Sequence, residues 1–465
     1  MRAVTGEWLC QFYVSISRTD PFPALRRPGA SVACYTKIMK STFLAMCLVV
    51  TAVCGAADEF SVGSTVRVAS VIHVSVDGLR GDLLRGLLNS NPARYPAFQR
   101  LRTEGAGTFN ARCDFDFSLT IPNHVSMVTG RPVNRPTGQP NSVHHGFTDN
   151  SPPANAIIHG ANPNLTYTAS VFDVVHDHGL STACLVSKAK LGFIDRSYDA
   201  SRGAPDTILP DNGHDKIDFA ISADGDTGAL VDLLVAHLGT KPDAYAFLHL
   251  YEPDAAGHAY GWGTPQWDAA VAAVDKSLAR IFKTMDASPS LAGRVSMVLT
   301  ADHGGGGGGD PLNQSDATRI GNVTIPFFIW APGVPAGADI YPLLANRWDP
   351  AGSRPDYNAA RQPLRNGDSG NLALALLGLP AVPGSTLRPA FIGFQPWPQI
   401  AHDSGRISVF WPAWFDSFVL ESSRSLNNVE WQPFKVSPVA TNGFIIQPVP
   451  LDWEPAALFF RLRKT

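Results

Sequence analysis

The chain has 465 residues, of which 45% are hydrophobic, 10% aromatic and 17% charged. This composition is that of a folded globular protein with a large core, and it excludes an intrinsically disordered chain. The formal net charge of −3 excludes a strong overall field for binding duplex nucleic acid or an anionic membrane.

The sequence of residues 1–57 predicts an N-terminal extension that ends in a signal peptide. The apolar run 43–53 follows a single lysine and precedes three small residues. These are the three regions of a signal peptide. We therefore expect translation to start at Met39, cleavage to occur near Ala56 or Ala57, and the mature protein to be secreted or periplasmic. An N-terminal membrane anchor is the alternative, although the apolar run is short for a membrane span.

Strand and helix patterns alternate over the next 300 residues or so. Apolar runs predict buried strands at 71–76, 182–186, 244–250, 295–299 and 325–330. Helical periodicity is found at 83–88, 97–104, 125–129, 171–179, 229–238, 267–285 and 372–377. This alternation predicts an α/β domain with a mostly parallel sheet flanked by helices, spanning 58–398 with its linker. In such sheets ligands bind at the carboxyl ends of the strands.

The C-terminal residues 399–465 have a different pattern. Short alternating segments occur at 408–411, 417–422, 431–436, 443–449 and 457–462. They predict a small all-β module resembling a sandwich. Because this module has few side chains that could form a site, we expect it to be structural or to contact a surface or a glycan.

Two cysteines, Cys113 and Cys184, follow the predicted signal peptide. In an oxidising compartment they could form a disulfide, and two separate buried thiols are an equally good interpretation. Their separation in sequence is not that of a metal site.

Acidic and imidazole side chains follow several predicted strands. Asp77 comes directly after the first strand, and the pair Asp302-His303 follows the strand 295–299. Together these three could bind one divalent cation, and carboxylates with imidazole suit zinc, manganese or iron. Asp254 and His258 are four residues apart, so they would share one face of a helical turn and could bind a second cation.

A hydroxyl at a predicted helix start is the candidate nucleophile. Thr120 precedes Ile121, Pro122 and Asn123. By itself such a threonine is usually a helix cap. Beside a metal ion, however, its hydroxyl could attack phosphorus at neutral pH. The Asn123 amide and the Ile121 N–H could then hold the phosphoryl oxygens.

The fragments VSVDG, SLTIPNHVSMVTG, YEPDAAGH and TADHGG together resemble the type I phosphodiesterase/nucleotide pyrophosphatase family of the alkaline phosphatase superfamily. The resemblance extends from about Val71 to Pro383. It implies an alkaline-phosphatase-like fold, a small-molecule phosphoester substrate, and two divalent metal ions, zinc in that family.

The resemblance also implies roles for individual residues. Thr120 would be the nucleophile that forms a phospho-threonine intermediate, and Asn123 would bind the phosphate. One zinc set would comprise Asp77, Thr120, Asp302 and His303. Asp254 and His258 would be two ligands of the other zinc ion.

The chain departs from the family pattern at the second metal ion. The family completes this set with a further histidine, but no histidine occurs here between His303 and His402. Gln314, Asp310 and Asp316 are the candidate replacements. A neutral amide is a poor zinc ligand, so we expect a weak second site or a harder cation there.

Three other interpretations remain open. A phosphonate hydrolase or a sulfatase-like hydrolase could have the same fold. The sequence around Thr120 lacks the cysteine or serine and the arginine of a formylglycine sulfatase, which disfavours that enzyme. A degenerate, non-catalytic binding protein would explain the missing histidine.

Two further features of the sequence are assigned no role in binding or catalysis. Lys188 and Lys190 follow the strand 182–186, and we interpret them as solvated lysines rather than phosphate ligands. The glycine run 304–309 lacks the lysine of a phosphate-binding P-loop, so we expect it to be a mobile loop.

Overall fold

The computed structural model describes residues 69–390, 399–403, 406–412, 418–424, 430–434, 438–441, 444–449 and 459–464. The predicted N-terminal extension and signal peptide lie outside the described residues. So do residues 391–398 of the linker and parts of the predicted C-terminal segments (417, 435–436, 443 and 457–458). The chain divides into two compact units, one spanning Ser64–Phe394 and the other containing the C-terminal strands.

An eight-stranded sheet forms the centre of the larger unit. Its strands are β1 (Ser70–Val76), β2 (Ala106–Arg112), β3 (Thr182–Val186), β4 (Phe219–Ser222), β5 (Tyr245–Leu250), β6 (Val295–Thr300), β7 (Thr324–Trp330) and β8 (Ala338–Asp339). The order across the sheet is β4-β3-β5-β1-β6-β7-β2-β8. Strands β4, β3, β5, β1 and β6 are parallel to one another, whereas β7 is antiparallel to both β6 and β2. The predicted mostly parallel sheet is therefore confirmed.

In the described part of the chain, ten α-helices accompany this sheet. They are α1 (Gly81–Ser90), α2 (Pro96–Glu104), α3 (Thr120–Thr129), α4 (Val171–Asp177), α5 (Phe193–Ser197), α6 (Thr227–Thr240), α7 (Glu252–Tyr260), α8 (Pro265–Ala287), α9 (Ile320–Val323) and α10 (Ser369–Leu376). Helix α8 packs against α2, α6 and α7, and α10 packs against α3 and α4. No helix among the described residues has both the length and the apolarity needed to cross a membrane.

The longest helix, α8, shows how sequence period produces packing. Thr264 caps its start by accepting a hydrogen bond from the Trp267 N–H, and Pro265 occupies the first turn, where its missing N–H costs nothing. Its buried positions repeat every three or four residues, as a helix with one buried face requires. They are Trp267, Val271, Val274, Asp275, Leu278, Ile281, Phe282 and Met285.

Strand β2 was not predicted, yet it positions a key loop. It pairs antiparallel with β7, and its register shifts between Thr108 and Ala111. It therefore runs in the same direction as β1, and its carboxyl end at Arg112 lies at the same edge of the sheet as the carboxyl ends of the parallel strands. The chain then passes into α3, which begins at Thr120.

The described residues of the smaller unit form two antiparallel sheets. Its strands are β9 (Gln399–Asp403), β10 (Arg406–Pro412), β11 (Phe418–Ser423), β12 (Gln432–Pro433), β13 (Val439–Thr441), β14 (Phe444–Val449) and β15 (Phe459–Lys464). One sheet has the order β13-β14-β10-β9 and the other β12-β11-β15. Buried side chains from both sheets form one hydrophobic core: Val409, Trp411, Leu420, Ile445, Val449, Phe460 and Leu462. The predicted all-β module is thus confirmed.

The two cysteines of the larger unit are separate, buried thiols. Cys184 lies in β3, and Cys113 follows β2. Burial raises the pKa of both thiols well above the ordinary value. Both side chains therefore pack as small apolar groups.

Candidate active site

The carboxyl edge of the sheet brings the predicted acidic and imidazole side chains together. Asp77 follows β1, the pair Asp302-His303 follows β6, and Asp254 lies in the first turn of α7 after β5. Since β5, β1 and β6 are adjacent parallel strands, their carboxyl ends are neighbours. All four side chains are at most 4% exposed.

Three of these residues form a set of suitable metal ligands. The ligand atoms of Asp77, Asp302 and His303 all lie within 4.8 Å of one another. The His303 Nε2 is 3.2 Å from the Asp302 Oδ2 and 3.6 Å from the Asp77 Oδ1. The His303 Nδ1 donates to its neighbouring Gly304 carbonyl at 2.8 Å, which leaves the Nε2 lone pair free to bind an ion.

These inward-facing atoms have no hydrogen-bond partner among the described residues. They are the Asp77 Oδ1, the Asp302 Oδ2 and the His303 Nε2, and each is fully buried. Buried polar atoms are almost always hydrogen-bonded. Two carboxylate oxygens and an imidazole nitrogen that converge without partners are the donor set of a zinc-type cation. The residues present therefore fit a metal ion at this position.

The backbone around Gly78 holds this set in place. Its N–H donates to the Asp302 Oδ1 at 3.0 Å, and its carbonyl accepts from the Trp262 Nε1 at 2.8 Å. Gly78 has a φ of +67°, and a Cβ there would lie 2.7 Å from the Asp254 Cα. Glycine is therefore required both by the left-handed conformation and by the close approach of α7.

The carboxyl groups of this set have pKa values shifted in opposite directions. Burial opposes ionisation of Asp77, but the Lys188 ammonium and His249 outweigh burial and hold the pKa of Asp77 well below its ordinary value. Burial, together with the negative charges of Asp77 and Asp254, raises the pKa of Asp302 well above its ordinary value. Burial also lowers the pKa of His303, so its imidazole is neutral at neutral pH, as a metal ligand must be.

Thr120 begins α3 and is 1% exposed. Its carbonyl accepts a hydrogen bond from the His124 Nδ1 at 2.7 Å, and the His124 Nε2 lies 2.9 Å from the Ser75 Oγ in β1. The same His124 Nδ1 is 3.8 Å from the Asp302 Oδ2. These contacts tie the start of α3 to β1 and to the Asp302 carboxylate.

The sequence profile of the type I phosphodiesterase/nucleotide pyrophosphatase family matches residues 71–318, more than half of the chain. The chain belongs to this family. It is accordingly a phosphoester hydrolase of the alkaline phosphatase superfamily, and the resemblance stated from the motifs is confirmed.

Three of the solved structures that are similar to this chain are the following. Murine ectonucleotide pyrophosphatase/phosphodiesterase 5, in an inactive form with AMP, is 14% identical with a TM-score of 0.45, over 68% of this chain and 96% of that one. A Vibrio parahaemolyticus alkaline phosphatase superfamily protein is 12% identical with a TM-score of 0.44, over 80% and 83% of the two chains. Phosphonoacetate hydrolase from Sinorhizobium meliloti is 21% identical with a TM-score of 0.33, over 51% and 56%. No match to a curated protein was found.

The second predicted metal set is less complete than the first. The His258 Nε2 is 3.5 Å from the Asp254 Oδ1, and the His258 side chain is 47% exposed. The His258 Nδ1 pairs with the Leu312 carbonyl at 3.0 Å. Among the described residues, Asp254 and His258 belong to no group of three ligand-type side chains.

The three candidate replacements for the missing histidine differ in their surroundings. Asp310 accepts from the Leu312 N–H, and Asp316 accepts from Thr318 and Arg319 within its own exposed loop. Gln314 is 5% exposed, and its Oε1 has no hydrogen-bond partner among the described residues. Of the three, Gln314 alone has a free buried oxygen, and that oxygen is uncharged.

Lys188 joins this site, and the expectation that it is solvated is wrong. Its Nζ lies 2.7 Å from the Asp77 Oδ2 and 2.5 Å from the Asp254 Oδ2, and the side chain is 16% exposed. Its position two residues after β3 was a usable signal, because β3 is parallel to β5 and ends at the same edge. The Lys190 Nζ lies 3.4 Å from the Asn150 Oδ1.

Asn123 is fully hydrogen-bonded within the protein. Its Oδ1 accepts from the Asp114 N–H and from the Asn366 amide, each at 2.9 Å. Its Nδ2 donates to the Phe117 and Leu119 carbonyls. These contacts fix the loop that precedes Thr120, and a phosphate-binding role for Asn123 stays a prediction. The Ile121 N–H, also expected to hold phosphate, donates to the Asn150 Oδ1 at 2.9 Å.

His249 also positions a predicted ligand. Its Nε2 lies 3.0 Å from the Asp77 Oδ2 and its Nδ1 lies 2.9 Å from the Ser187 Oγ. A histidine bonded to the outer oxygen of a ligating carboxylate fixes the orientation of that carboxylate. The sequence analysis did not single out either His249 or Asn150.

The first part of the glycine run is tightly packed. A Cβ on Gly304 would lie 2.2 Å from the Gly321 carbonyl oxygen, and a Cβ on Gly305 would lie 2.1 Å from the Trp262 ring. The expectation of a mobile loop is therefore wrong for these two residues. Glycine is needed there because the loop after β6 lies against the backbone of α9 at Gly304 and against the Trp262 ring at Gly305.

In a second group of ligand-type side chains, a lysine ammonium occupies the place that a metal ion would need. His176, Asp177 and Asp206 lie near one another, but the buried Lys216 ammonium pairs with both carboxylates. The Lys216 carbonyl accepts from Thr182 at the start of β3. This group is therefore an ion-pair network at the opposite edge of the sheet.

Proposed function

We propose that the protein is a metal-dependent phosphodiesterase or nucleotide pyrophosphatase that uses Thr120 as its nucleophile. The observation that carries this proposal is the convergence of the unpartnered, buried ligand atoms of Asp77, Asp302 and His303. A divalent ion held by these three residues would supply Lewis-acid chemistry to the phosphoryl group and to the Thr120 hydroxyl.

The Thr120 oxygen attacks phosphorus and forms an oxygen–phosphorus bond, while the bond to one alcohol of the diester breaks. The hydroxyl proton leaves to solvent and the alcohol departs protonated. Water then attacks the phospho-threonine, which releases a phosphomonoester and regenerates the hydroxyl.

The electrostatics of the site support this sequence of steps. Thr120 is the first residue of a ten-residue helix, and the positive end of the helix dipole favours the anionic phosphoryl group. Lys188 adds a positive charge at the same edge. The burial of the carboxylates lowers the local dielectric constant, which strengthens each of these interactions.

The test is hydrolysis of bis-p-nitrophenyl phosphate beside p-nitrophenyl phosphate, after EDTA treatment and readdition of zinc or manganese. We expect metal to restore turnover and the diester to be preferred. Turnover of an aryl sulfate or a phosphonate far above that of the diester would replace the proposal with that chemistry. No turnover with any metal would indicate a degenerate binding protein.

We also propose that the protein is exported. The support is the predicted signal peptide with cleavage near Ala56 or Ala57. N-terminal sequencing of the protein recovered outside the cytoplasm should begin at Ala57 or Asp58. A retained N-terminal segment would contradict cleavage. A contact of the C-terminal module with a surface or a glycan stays a prediction.

A further inference from the structure

Lys188 connects one carboxylate of each predicted metal set. Its loop follows β3, and its side chain reaches across the end of β5 to the end of β1. The ammonium contacts the Asp254 Oδ2 at 2.5 Å and the Asp77 Oδ2 at 2.7 Å. These are short, charge-assisted contacts in a buried setting.

The second metal set lacks what a divalent ion requires. Asp254 and His258 are two ligands, the His258 side chain is 47% exposed, and one Asp254 oxygen already bonds to Lys188. A structural or catalytic zinc needs at least three protein ligands. Among the described residues, the Asp254 Oδ1 and the Gln314 Oε1 are buried without a hydrogen-bond partner, and of these two only the Asp254 oxygen can be charged.

The charges of the resting site also favour one ion. Asp77, Asp254 and Asp302 are buried carboxylates, and such charges must be compensated. One divalent ion and the Lys188 ammonium neutralise three carboxylates. A second divalent ion would leave the resting site with an excess positive charge.

We propose, resting on the proposed function, that the protein binds one divalent ion per chain and that the Lys188 ammonium stands where two-metal members of the family have a second ion. The positive charge of Lys188 faces the phosphoryl group and stabilises the negative charge that develops on the phosphoryl oxygens. Asp254 then orients the lysine, and His258 is not a metal ligand.

Metal stoichiometry tests this proposal without reference to turnover. Zinc is titrated into the EDTA-treated full-length protein by calorimetry, and the dialysed product is analysed by mass spectrometry for metal. We expect one ion per chain. His258→Ala should leave this count at one and change the affinity less than threefold, whereas Asp302→Asn should weaken binding at least a hundredfold. Two ions per chain, one of them lost in His258→Ala, would overturn the proposal.

The role of the ammonium is tested with Lys188→Met, which keeps the length of the side chain and removes the charge. We expect kcat for the diester to fall about a hundredfold with the metal count still one, and Lys188→Arg to recover part of the loss. Lys283→Met, on the exposed face of α8, is the matched control. Lys188→Met activity within threefold of wild type would overturn the role of Lys188. If the wild-type protein binds one ion but is inactive, the proposed function is refuted, while the proposal of a single ion is kept.

Discussion

At the scale of single residues, the two oxygens of Asp77 have different partners. The Oδ2 contacts Lys188 and His249, at 2.7 and 3.0 Å, and these contacts keep the carboxyl group ionised. The Oδ1 has no partner among the described residues and faces the His303 Nε2 at 3.6 Å. One side of the carboxylate is therefore anchored by the protein, while the other remains available to a cation.

The nucleophile is tested by Thr120→Ala. Because Thr120 caps no backbone group through its side chain among the described contacts of α3, the helix should persist without the hydroxyl. We expect kcat for the diester to fall at least about 1000-fold, the scale found when a nucleophile is removed. The measurement is steady-state kinetics with the metal-loaded protein.

Thr120→Ser is the matched variant, because it keeps a hydroxyl and should retain measurable turnover. Thermal unfolding and zinc titration of Thr120→Ala should stay close to wild type, since Asp77, Asp302 and His303 remain. Full activity of Thr120→Ala would refute the phospho-threonine intermediate.

At the scale of elements, the site depends on the close packing of α7 against the loop after β6. The Trp262 indole follows α7, packs against Gly305 and donates to the Gly78 carbonyl. It also makes an edge contact with the His258 ring, with centroids 5.4 Å apart. This one side chain therefore links helix α7, which contains Asp254, to the loops that contain Asp77 and His303.

Gly305→Ala tests this packing. The added methyl group would lie 2.1 Å from the Trp262 ring, so either the ring or the loop must shift. Overpacking of this kind costs about 1–3 kcal/mol. We expect lower thermal stability and about a tenfold loss of zinc affinity, measured by calorimetry. In the control Gly86→Ala in α1 the methyl group meets no atom within 4 Å. Equal thermal stability and zinc affinity in the two variants would contradict the role of this packing.

The contact between α2 and α8 predicts a pH dependence of stability. Asp275 in α8 is buried and accepts a hydrogen bond from the Phe98 N–H at 2.8 Å, and burial raises its pKa to about 6. The native protein therefore binds more protons than the unfolded chain between the ordinary carboxyl pKa and about 6. Stability from this group is greatest below that window and falls as the pH rises through it.

Asp275→Asn removes the titrating group and keeps an oxygen for the Phe98 N–H. We expect the variant to exceed wild type in free energy of unfolding by roughly 1 kcal/mol above pH 6 and to match it near pH 4. Urea unfolding at pH 4, 5, 6, 7 and 8 provides the comparison. If the free energies of unfolding of the two proteins differ by the same amount at every pH, the raised pKa of Asp275 is contradicted.

At the scale of the whole molecule, the sequence predicted the α/β class and five of the eight sheet strands. Strands β1, β5 and β6 are rich in apolar residues and gave a clear signal, because these strands are buried on both faces. Strand β2, with the sequence AGTFNAR and an irregular register, has no such run and gave none. Sequence alone could not supply the pairing that moves Thr120 to the carboxyl edge.

The candidate site could likewise be predicted only in part from the sequence. Asp77, Asp254, Asp302 and His303 could be found because each follows a strand and belongs to a motif. Lys188 also follows a strand, but its pairing with Asp77 depends on the order β3-β5-β1, which the sequence does not contain. Hydrogen bonds between elements distant in sequence, such as those of His249 and Asn366, are likewise set by the fold.

The division into two units gives the last prediction. Trp411 is 1% exposed in the core of the C-terminal module, and the side chains of the candidate site lie within residues 69–390. Trp411→Ala should destabilise the module by about 3–5 kcal/mol. Turnover of a small soluble diester should stay within twofold of wild type, because the module contributes none of the site residues.

Calorimetry should then show a shifted transition for the module, while kcat/KM and zinc binding are unchanged. Arg424→Ala, at an exposed position of the same module, is the control for a substitution that leaves the core intact. A parallel loss of turnover in Trp411→Ala would mean that the module takes part in forming the site. A loss confined to large or surface-bound phosphoesters would instead assign the module to substrate capture.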